Sequence, residues 1–256
     1  MAVRGITKIR NESHIIGDTL DNWAPYCDAG IHVYCDAPTD MTADICRQHA
    51  AVVEVIESDL LDENRERAEW YCRQTVLHSA RRFLTDDDWI VYFDGDEHLF
   101  DFDLGVLQPG VDEVACKSFD SYITPEDAAL SAFQYHARRW VCPAWEFSPY
   151  FYSCRNPLDF WMDDQRNIQT PPNGKRIVHG KVRHWGKGLS VAKWEEKCRY
   201  YSDDFGPKYA AKWEARKGKA VHENMRSDFG LPLVLWDDVL NGTAKTEWRR
   251  KFKLVS

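Results

Sequence analysis

The chain has 256 residues, with 33 Lys and Arg against 41 Asp and Glu, so its formal net charge is −8. This length fits one α/β domain with elaborations, or two small domains, and it is long enough to bury a hydrophobic core. The acidic balance disfavours a protein that grips nucleic acid by bulk electrostatics, and no apolar run approaches the ~20 residues that a membrane helix needs.

Strand and helix patterns alternate along the first hundred residues. Apolar runs and helical spacing predict, in chain order, a strand at 3–9, a helix at 15–23, a strand at 31–35, a helix at 42–49, a strand at 52–56, a helix at 63–83 and a strand at 89–93. Strands that alternate with helices indicate a parallel sheet with right-handed crossovers.

The pattern loosens after about residue 104. A further strand is predicted at 111–119, a loop at 171–174, and helices at 191–201 and 209–217. The segment 135–152 is dense in aromatic residues and Arg, and we assign it no element. Within it, Arg138 and Trp140 fit either the edge of a packed core or a surface on which a sugar or a base stacks. The core interpretation is favoured.

The eight cysteines show neither a CxxC pair nor the spacing of zinc ligands. The N-terminal segment becomes charged too early for a signal peptide. These two features together predict reduced thiols and a cytoplasmic protein.

Polar residues follow three of the predicted strands, since Asn11, Asp36 and Asp94 all fall where a strand ends. In parallel sheets, ligands bind beyond the carboxyl ends of the strands. The strongest signal is Asp94-Gly95-Asp96-Glu97, because two acids separated by one residue can converge on one hard cation such as Mg²⁺ or Mn²⁺. Such a metal would neutralise a diphosphate leaving group, whereas the alternative interpretation is a polar turn.

A second signal is the segment 179–188, HGKVRHWGKG, which combines two His, three cationic residues and three Gly. Glycine lets backbone amides approach phosphate, so the segment is predicted to be a phosphate-binding loop. Lys187 would neutralise a diphosphate, and His184, in preference to His179, would be a third metal ligand. A basic surface hairpin is the alternative.

A third signal is the acidic pair Asp163 and Asp164. A carboxylate can act as the general base that deprotonates an attacking hydroxyl, and either residue fits that role. A solvated acidic helix start is the competing interpretation, and Asp120 and Glu146 are weaker candidates for the base.

The first hundred residues resemble the family 2 glycosyltransferases of the GT-A fold. That family places Lys/Arg-Asn-Glu after the first strand, an acidic Asp-x-x-Ser/Thr-Asp-x-Thr segment after the second, an Arg near the start of a helix, and Asp-x-Asp-Glu after a later strand. The matching segments here are Arg10-Asn11-Glu12, Asp36-Ala37-Pro38-Thr39-Asp40-Met41-Thr42, Asn64-Arg65 and Asp94-Gly95-Asp96-Glu97. Pro38 departs from the family pattern, and this weakens the assignment of the nucleotide.

The resemblance implies a role for each matching residue. Arg10, Asn11 and Glu12 would lie beside the nucleotide, and Asp36 would read the base, typically uracil. Arg65 would contact the diphosphate or the base. Asp94 would face the ribose or the metal, and Asp96 would bind the metal directly, with Mn²⁺ or Mg²⁺ as the cofactor.

The implied fold is one α/β domain of the GT-A type, with a Rossmann-like, mostly parallel central sheet flanked by helices and a less regular C-terminal acceptor or lid region. Residues 1–104 would form the half that binds the nucleotide-sugar. Residues 105–256 would form the acceptor-binding half and a C-terminal helical extension.

The implied function is a metal-dependent transfer of a sugar from a nucleotide-diphosphate donor, with UDP-sugar expected, to an acceptor hydroxyl on a glycan or similar molecule. One alternative is a phage-type enzyme that glycosylates a hydroxylated base in DNA, although the net charge does not favour a nucleic-acid acceptor. Another is a catalytically inactive protein that binds a nucleotide-sugar or glycan. A nucleotidyltransferase ranks lower, because its first loop would be rich in glycine.

Overall fold

The computed structural model of the chain describes residues 1–58, 65–161, 167–203 and 207–248, without the side chains of residues 65, 66 and 207–209. Its first elements are β1 (Val3–Ile9), α1 (Ile16–Trp23), β2 (Ile31–Asp36), α2 (Thr42–Gln48), β3 (Val52–Ser58), α3 (Arg65–Arg81), β4 (Trp89–Tyr92) and β5 (Glu97–Phe100). They are followed by β6 (Glu113–Ser121), β7 (Trp140–Ser153), β8 (Arg176–His184), α4 (Val191–Asp203), α5 (Pro207–Glu214), β9 (Val234–Leu235) and α6 (Trp236–Leu240). No helix in this described part is long and apolar enough to cross a membrane.

The N-terminal half is a parallel sheet in the order β3–β2–β1–β4. All six residues of β2 are buried, as expected for a strand covered on both faces. Alternate side chains reach two separate cores: Val33 and Val91 point to one, while Tyr34 and Tyr92 point to the other.

Helices cover both faces of this half. One face packs against α1 and α2, through Ile16, Leu20 and Trp23 on α1, whose three- and four-residue spacing forms one apolar stripe. The other face packs against α3, whose buried apolar residues are Ala68, Cys72, Val76, Leu77 and Ala80. This two-sided covering leaves the carboxyl ends of the strands as the place where loops meet.

The sheet continues into the second half of the chain in the order β4–β7–β6–β8–β5, with β9 on β7. Only β5 and β7 run against the other seven strands described. The α/β class and the mostly parallel sheet flanked by helices are therefore confirmed. The division of the chain near residue 104 stays a prediction, and strands from both sides of it share one sheet.

Two features of the second half differ from the sequence-based expectation. The segment 179–188 is not one loop, because residues up to His184 belong to β8 and only 185–188 form a turn. The unassigned aromatic segment is largely the 14-residue strand β7. Pro143 and Pro149 argue against a strand at the sequence level, because proline has no backbone N–H to donate to a neighbouring strand. In the structure, Pro149 lies where the β6–β7 register shifts.

Trp23 anchors α1 to the sheet. Its ring is fully buried and stacks on Phe93 with centroids 4.6 Å apart, and its Nε1 donates a hydrogen bond to the Glu97 carbonyl at 2.7 Å. Trp23→Ala would remove this burial and the hydrogen bond to that carbonyl. We expect it to lower the free energy of unfolding by about 3–5 kcal/mol in urea denaturation. Phe133→Ala is the control, because that ring is 71% exposed and its loss should lower the free energy of unfolding by less than about 0.5 kcal/mol. An equal loss of stability in the two variants would contradict the anchoring role of Trp23.

Candidate active site

A cleft of about 660 Å³ lies at the carboxyl ends of β1 and β4. Its walls come from the loop after β1, the turn after β4, one face of α3, the turn after β8 and one face of α4. The location is the one predicted from the strand ends.

The loop after β1 is fixed against the loop after β2. Asn11 adopts a φ of 54° and exchanges two hydrogen bonds with Thr39, from its Nδ2 to Oγ1 at 3.0 Å and from the Thr39 amide to its Oδ1 at 2.8 Å. The amide of Glu12 donates to Thr42 Oγ1 at 2.7 Å. These bonds hold the backbone so that Glu12 points back toward the turn after β4.

Three carboxylates, from Glu12, Asp94 and Asp96, meet at one end of the cleft, which we call the acidic pole. Gly95 allows this approach, because a Cβ there would lie 2.7 Å from Glu12 Oε2. That Glu12 oxygen is buried and has no hydrogen-bond partner among the described residues. Burial and the neighbouring Asp96 and Asp94 carboxylates raise the pKa of Glu12 well above its usual range.

Two cations offset the charge of the acidic pole. His184 Nε2 lies 3.3 Å from Asp96 Oδ1, and its Nδ1 donates to Asp120 Oδ1 at 2.8 Å. Lys197 Nζ lies 3.5 Å from Asp96 Oδ2. Burial lowers the pKa of His184, but Asp96 and Asp120 outweigh it and raise that pKa to about 10. The pKa of Lys197 is raised as well, because Asp96, Tyr201 and Glu12 outweigh its burial.

The acidic pole has the donor chemistry of a divalent-metal site. Carboxylate oxygens and an imidazole nitrogen suit Mn²⁺ or Mg²⁺, and the unsatisfied buried oxygen of Glu12 would gain a partner from a cation nearby. The bond from His184 Nδ1 to Asp120 directs Nε2 toward Asp96, as outer-shell carboxylates do for metal-binding histidines. As they stand, no three His, Cys, Asp or Glu side chains in the described ranges are grouped to hold a metal ion.

A row of ionic and hydrogen-bonded side chains runs along the floor of the cleft, and all of its members except Asp36 line the cleft. It links the ends of β2, β1, α3 and β4 in the order Asp36, Lys8, Glu69, Arg73, Tyr92 and Asp94. Along this row, Lys8 Nζ lies 3.1 Å from Asp36 Oδ2, and Arg73 Nε donates to the Tyr92 hydroxyl at 3.2 Å. The carboxylates of Glu69 and Asp36 raise the pKa of Lys8 despite its burial, so Lys8 stays charged within this row.

The structure places most of the predicted donor-binding residues at the cleft. Arg10, Asn11, Glu12, Asp94, Asp96, His184 and Lys187 all line it. Asp36 does not line it, and its buried carboxylate acts on the cleft through Lys8. The side chain of Arg65 and the whole of Asp163 and Asp164 lie outside the described residues.

Lys187 has a different setting from the one expected of a free diphosphate ligand. Its Nζ donates to Asp120 Oδ2 at 2.8 Å, to the Tyr122 hydroxyl at 3.0 Å and to Asp228 Oδ1 at 3.2 Å. These bonds tie the turn after β8 to the end of β6 and to the segment around Asp228. Arg138 is likewise a packing residue, because its guanidinium is buried and donates to backbone carbonyls such as that of Gly188.

Sequence reasoning missed several residues of the cleft. Among them are Lys8, Glu69, Arg73, Lys197 and His14. The four-residue spacing of Glu69 and Arg73 placed both on one face of the predicted helix 63–83, and this was the available signal. His14 was given no role, yet it lines the cleft, and burial together with Lys193 lowers its pKa to about 4.

The cleft is richer in cations than the rest of the chain. Its lining holds seven Lys or Arg and six Asp or Glu, whereas the whole sequence has 33 against 41. The cationic members are Lys8, Arg10, Arg73, Lys187, Lys193, Lys197 and Arg199. This local excess favours an anionic ligand.

Neither a protein-family model nor a curated protein matches the chain. Among solved structures it is similar to TarS of S. aureus, at 12% identity and a TM-score of 0.43, over 88% of this chain and 45% of TarS. It is also similar to glucosyl-3-phosphoglycerate synthase of Mycobacterium tuberculosis, solved with Mn²⁺, UDP and phosphoglyceric acid, at 17% identity and a TM-score of 0.34, over 60% of this chain and 56% of the synthase.

A third match is a mycobacterial protein, at 12% identity and a TM-score of 0.40, over 91% of this chain and 82% of the match. The chain thus spans about half the length of the first two proteins. Likeness at this level assigns no activity.

The charge of His184 predicts how stability depends on pH without metal. Its pKa of about 10 lies above the usual 6.5, so its contribution is complete below pH 6.5 and is lost as pH rises to about 10. In EDTA, urea denaturation should show wild type more stable than His184→Gln at pH 6, and this difference should shrink steadily by pH 10. A difference that stays constant over this range would show that the imidazolium pairs contribute nothing.

Proposed function

We propose that this protein is a glycosyltransferase, which moves a sugar from a nucleotide-diphosphate donor to an acceptor hydroxyl, with UDP as the expected nucleotide. The observation that supports it best is the acidic pole. Sequence-remote segments after β1, β4 and β8 bring Glu12, Asp96 and His184 into one cleft at the carboxyl ends of parallel strands. Carboxylates at such a strand end, facing cations across a cleft, suit a metal-bound diphosphate.

Asp96 and His184 would hold Mn²⁺ or Mg²⁺, with Asp94 and Glu12 beside them. When bound, the metal would neutralise the departing diphosphate. Asp120 accepts the Nδ1 proton of His184 and so keeps Nε2 turned toward Asp96.

Two arginines would bind the phosphates of the donor. Arg10 and Arg199 line the cleft, and guanidinium groups suit phosphate oxygens. Arg10 also lies 5.5 Å from the ring of Tyr200, which orients it over the cleft wall. The charged floor, with Lys8 and Arg73, would supply donors and acceptors to the nucleoside.

The acceptor is proposed to be a hydroxyl on a glycan or similar molecule. In an inverting transfer, Asp163 or Asp164 would take the proton of that hydroxyl as its oxygen attacks the anomeric carbon opposite the diphosphate. This assignment rests on residue type and position in the sequence alone.

A thermal-shift titration with UDP, with and without Mn²⁺, tests the donor site. At a UDP concentration of about 100 times Kd, binding adds about 2.7 kcal/mol to the native state, which raises Tm by about 5–10 °C for a chain of this size. We expect this rise for wild type only with Mn²⁺, and its loss in Asp96→Asn. Asp87→Asn is the matched control, because it removes the same charge from an exposed residue just before β4, at the other end of that strand from the acidic pole.

The outcomes separate the alternatives. A UDP-dependent rise accompanied by UDP release from a UDP-sugar supports a transferase. A rise without any release from a panel of UDP-sugars, with or without glycan acceptors, would favour a nucleotide-sugar-binding protein. No rise with any nucleoside diphosphate, or a rise that Asp96→Asn leaves unchanged, would refute the proposed donor site.

A further inference from the structure

Lys197 holds the position that a cation bound at the acidic pole would need. Its Nζ lies 3.5 Å from Asp96 Oδ2 and 3.4 Å from the carbonyl oxygen of Gly186. The carboxylates of Asp96 and Glu12 both favour its charge. The ammonium therefore compensates the same negative charge that would attract a divalent cation.

The space at Gly186 shows that these groups converge on one point. A Cβ added at this position would clash with Lys197 Nζ, with Asp96 Oδ2 and with His184 Nε2, the last at 2.6 Å. A side chain at this position would therefore have to displace these groups. A metal ion that used Asp96 Oδ2 and His184 Nε2 would lie beside the ammonium, and the two like charges would repel each other.

Lys197 is able to leave this position. Its side chain is 28% exposed, it lines the cleft, and it stands on the face of α4 that forms the cleft wall. Both of its polar contacts given above are long for hydrogen bonds. Lys187, in contrast, makes three closer bonds, to Asp120, Tyr122 and Asp228, and has a 10% exposed side chain.

We propose that Lys197 neutralises the acidic pole in the metal-free protein. When a divalent cation takes its place, the Lys197 side chain moves and its ammonium group binds the donor diphosphate. The inference rests on the proposed function, since it assumes a metal and a diphosphate in this cleft. No covalent step is involved. The divalent cation satisfies the carboxylates, and the displaced ammonium then meets the phosphate oxygens with a charge-assisted hydrogen bond.

The exchange predicts opposite changes in two affinities. Lys197→Met keeps the length of the side chain and removes the competing charge. By isothermal titration calorimetry, Mn²⁺ alone should bind this variant about tenfold more tightly than wild type, because no ammonium has to leave. At saturating Mn²⁺, UDP should bind it about tenfold more weakly, because the phosphate loses a donor. Lys197→Arg should restore UDP binding to within about threefold.

A matched control is Lys193→Met, one turn earlier on α4, where the ammonium pairs with Glu196 at 2.9 Å. Lys193→Met should change Mn²⁺ affinity by less than about twofold, since the Lys193 ammonium does not pair with Asp96. Thermal unfolding of each variant confirms that it folds. Weaker or unchanged Mn²⁺ binding in Lys197→Met, with wild type binding both probes, would overturn the exchange while leaving the donor site intact.

A crystal structure with Mn²⁺ and UDP tests the movement itself. We expect Lys197 Nζ within about 3.2 Å of a diphosphate oxygen and farther from Asp96 Oδ2 than the present 3.5 Å. Nζ still on Asp96 in that complex would overturn the exchange and show that the charge acts from a fixed position. If wild type binds neither Mn²⁺ nor UDP, the proposed function itself fails, and the exchange fails with it.

Discussion

The crowding of acidic side chains at the acidic pole is the constraint on which the rest of the cleft depends. Asp96 is buried, and Glu12 and Asp94 lie near it. A buried carboxylate stays charged only beside counter-charges. The protein supplies these from opposite sides, with His184 at the end of β8 and Lys197 on α4. The position of α4 against the sheet is thus coupled electrostatically to the turn after β4.

The same requirement explains why the second half of the sheet is needed. β8 pairs with both β5 and β6, and this places His184 opposite Glu97 on one side and Asp120 on the other. Asp120 in turn accepts hydrogen bonds from both the His184 ring and Lys187. A strand that forms two ladders defines the direction of a side chain better than a surface loop does, so the strand placement favours a precise role for His184.

How much of this was predictable depends on where each residue lies in the pattern. Asp94 follows a buried apolar strand, and strand ends in a parallel sheet converge, so the sequence located this pole correctly. β8 was hidden because Gly180 and the charged residues around it are typical of a loop, whereas the partners β5 and β6 are remote in sequence. Lys197 looks like any lysine on a solvated helix face. Only the packing of α4 over the cleft distinguishes it.

Lys187 and Lys197 show why residue type cannot settle such roles. The former lies in a Gly-rich turn and has the local composition of a phosphate ligand, yet its Nζ is held by Asp120, Tyr122 and Asp228, none of which lines the cleft. The latter has no motif around it, yet it faces the carboxylates and retains freedom to move. A cation fixed by three short bonds contributes to the shape of the turn. A cation held by long contacts to groups that a metal would also bind is the one whose position can respond to the ligand.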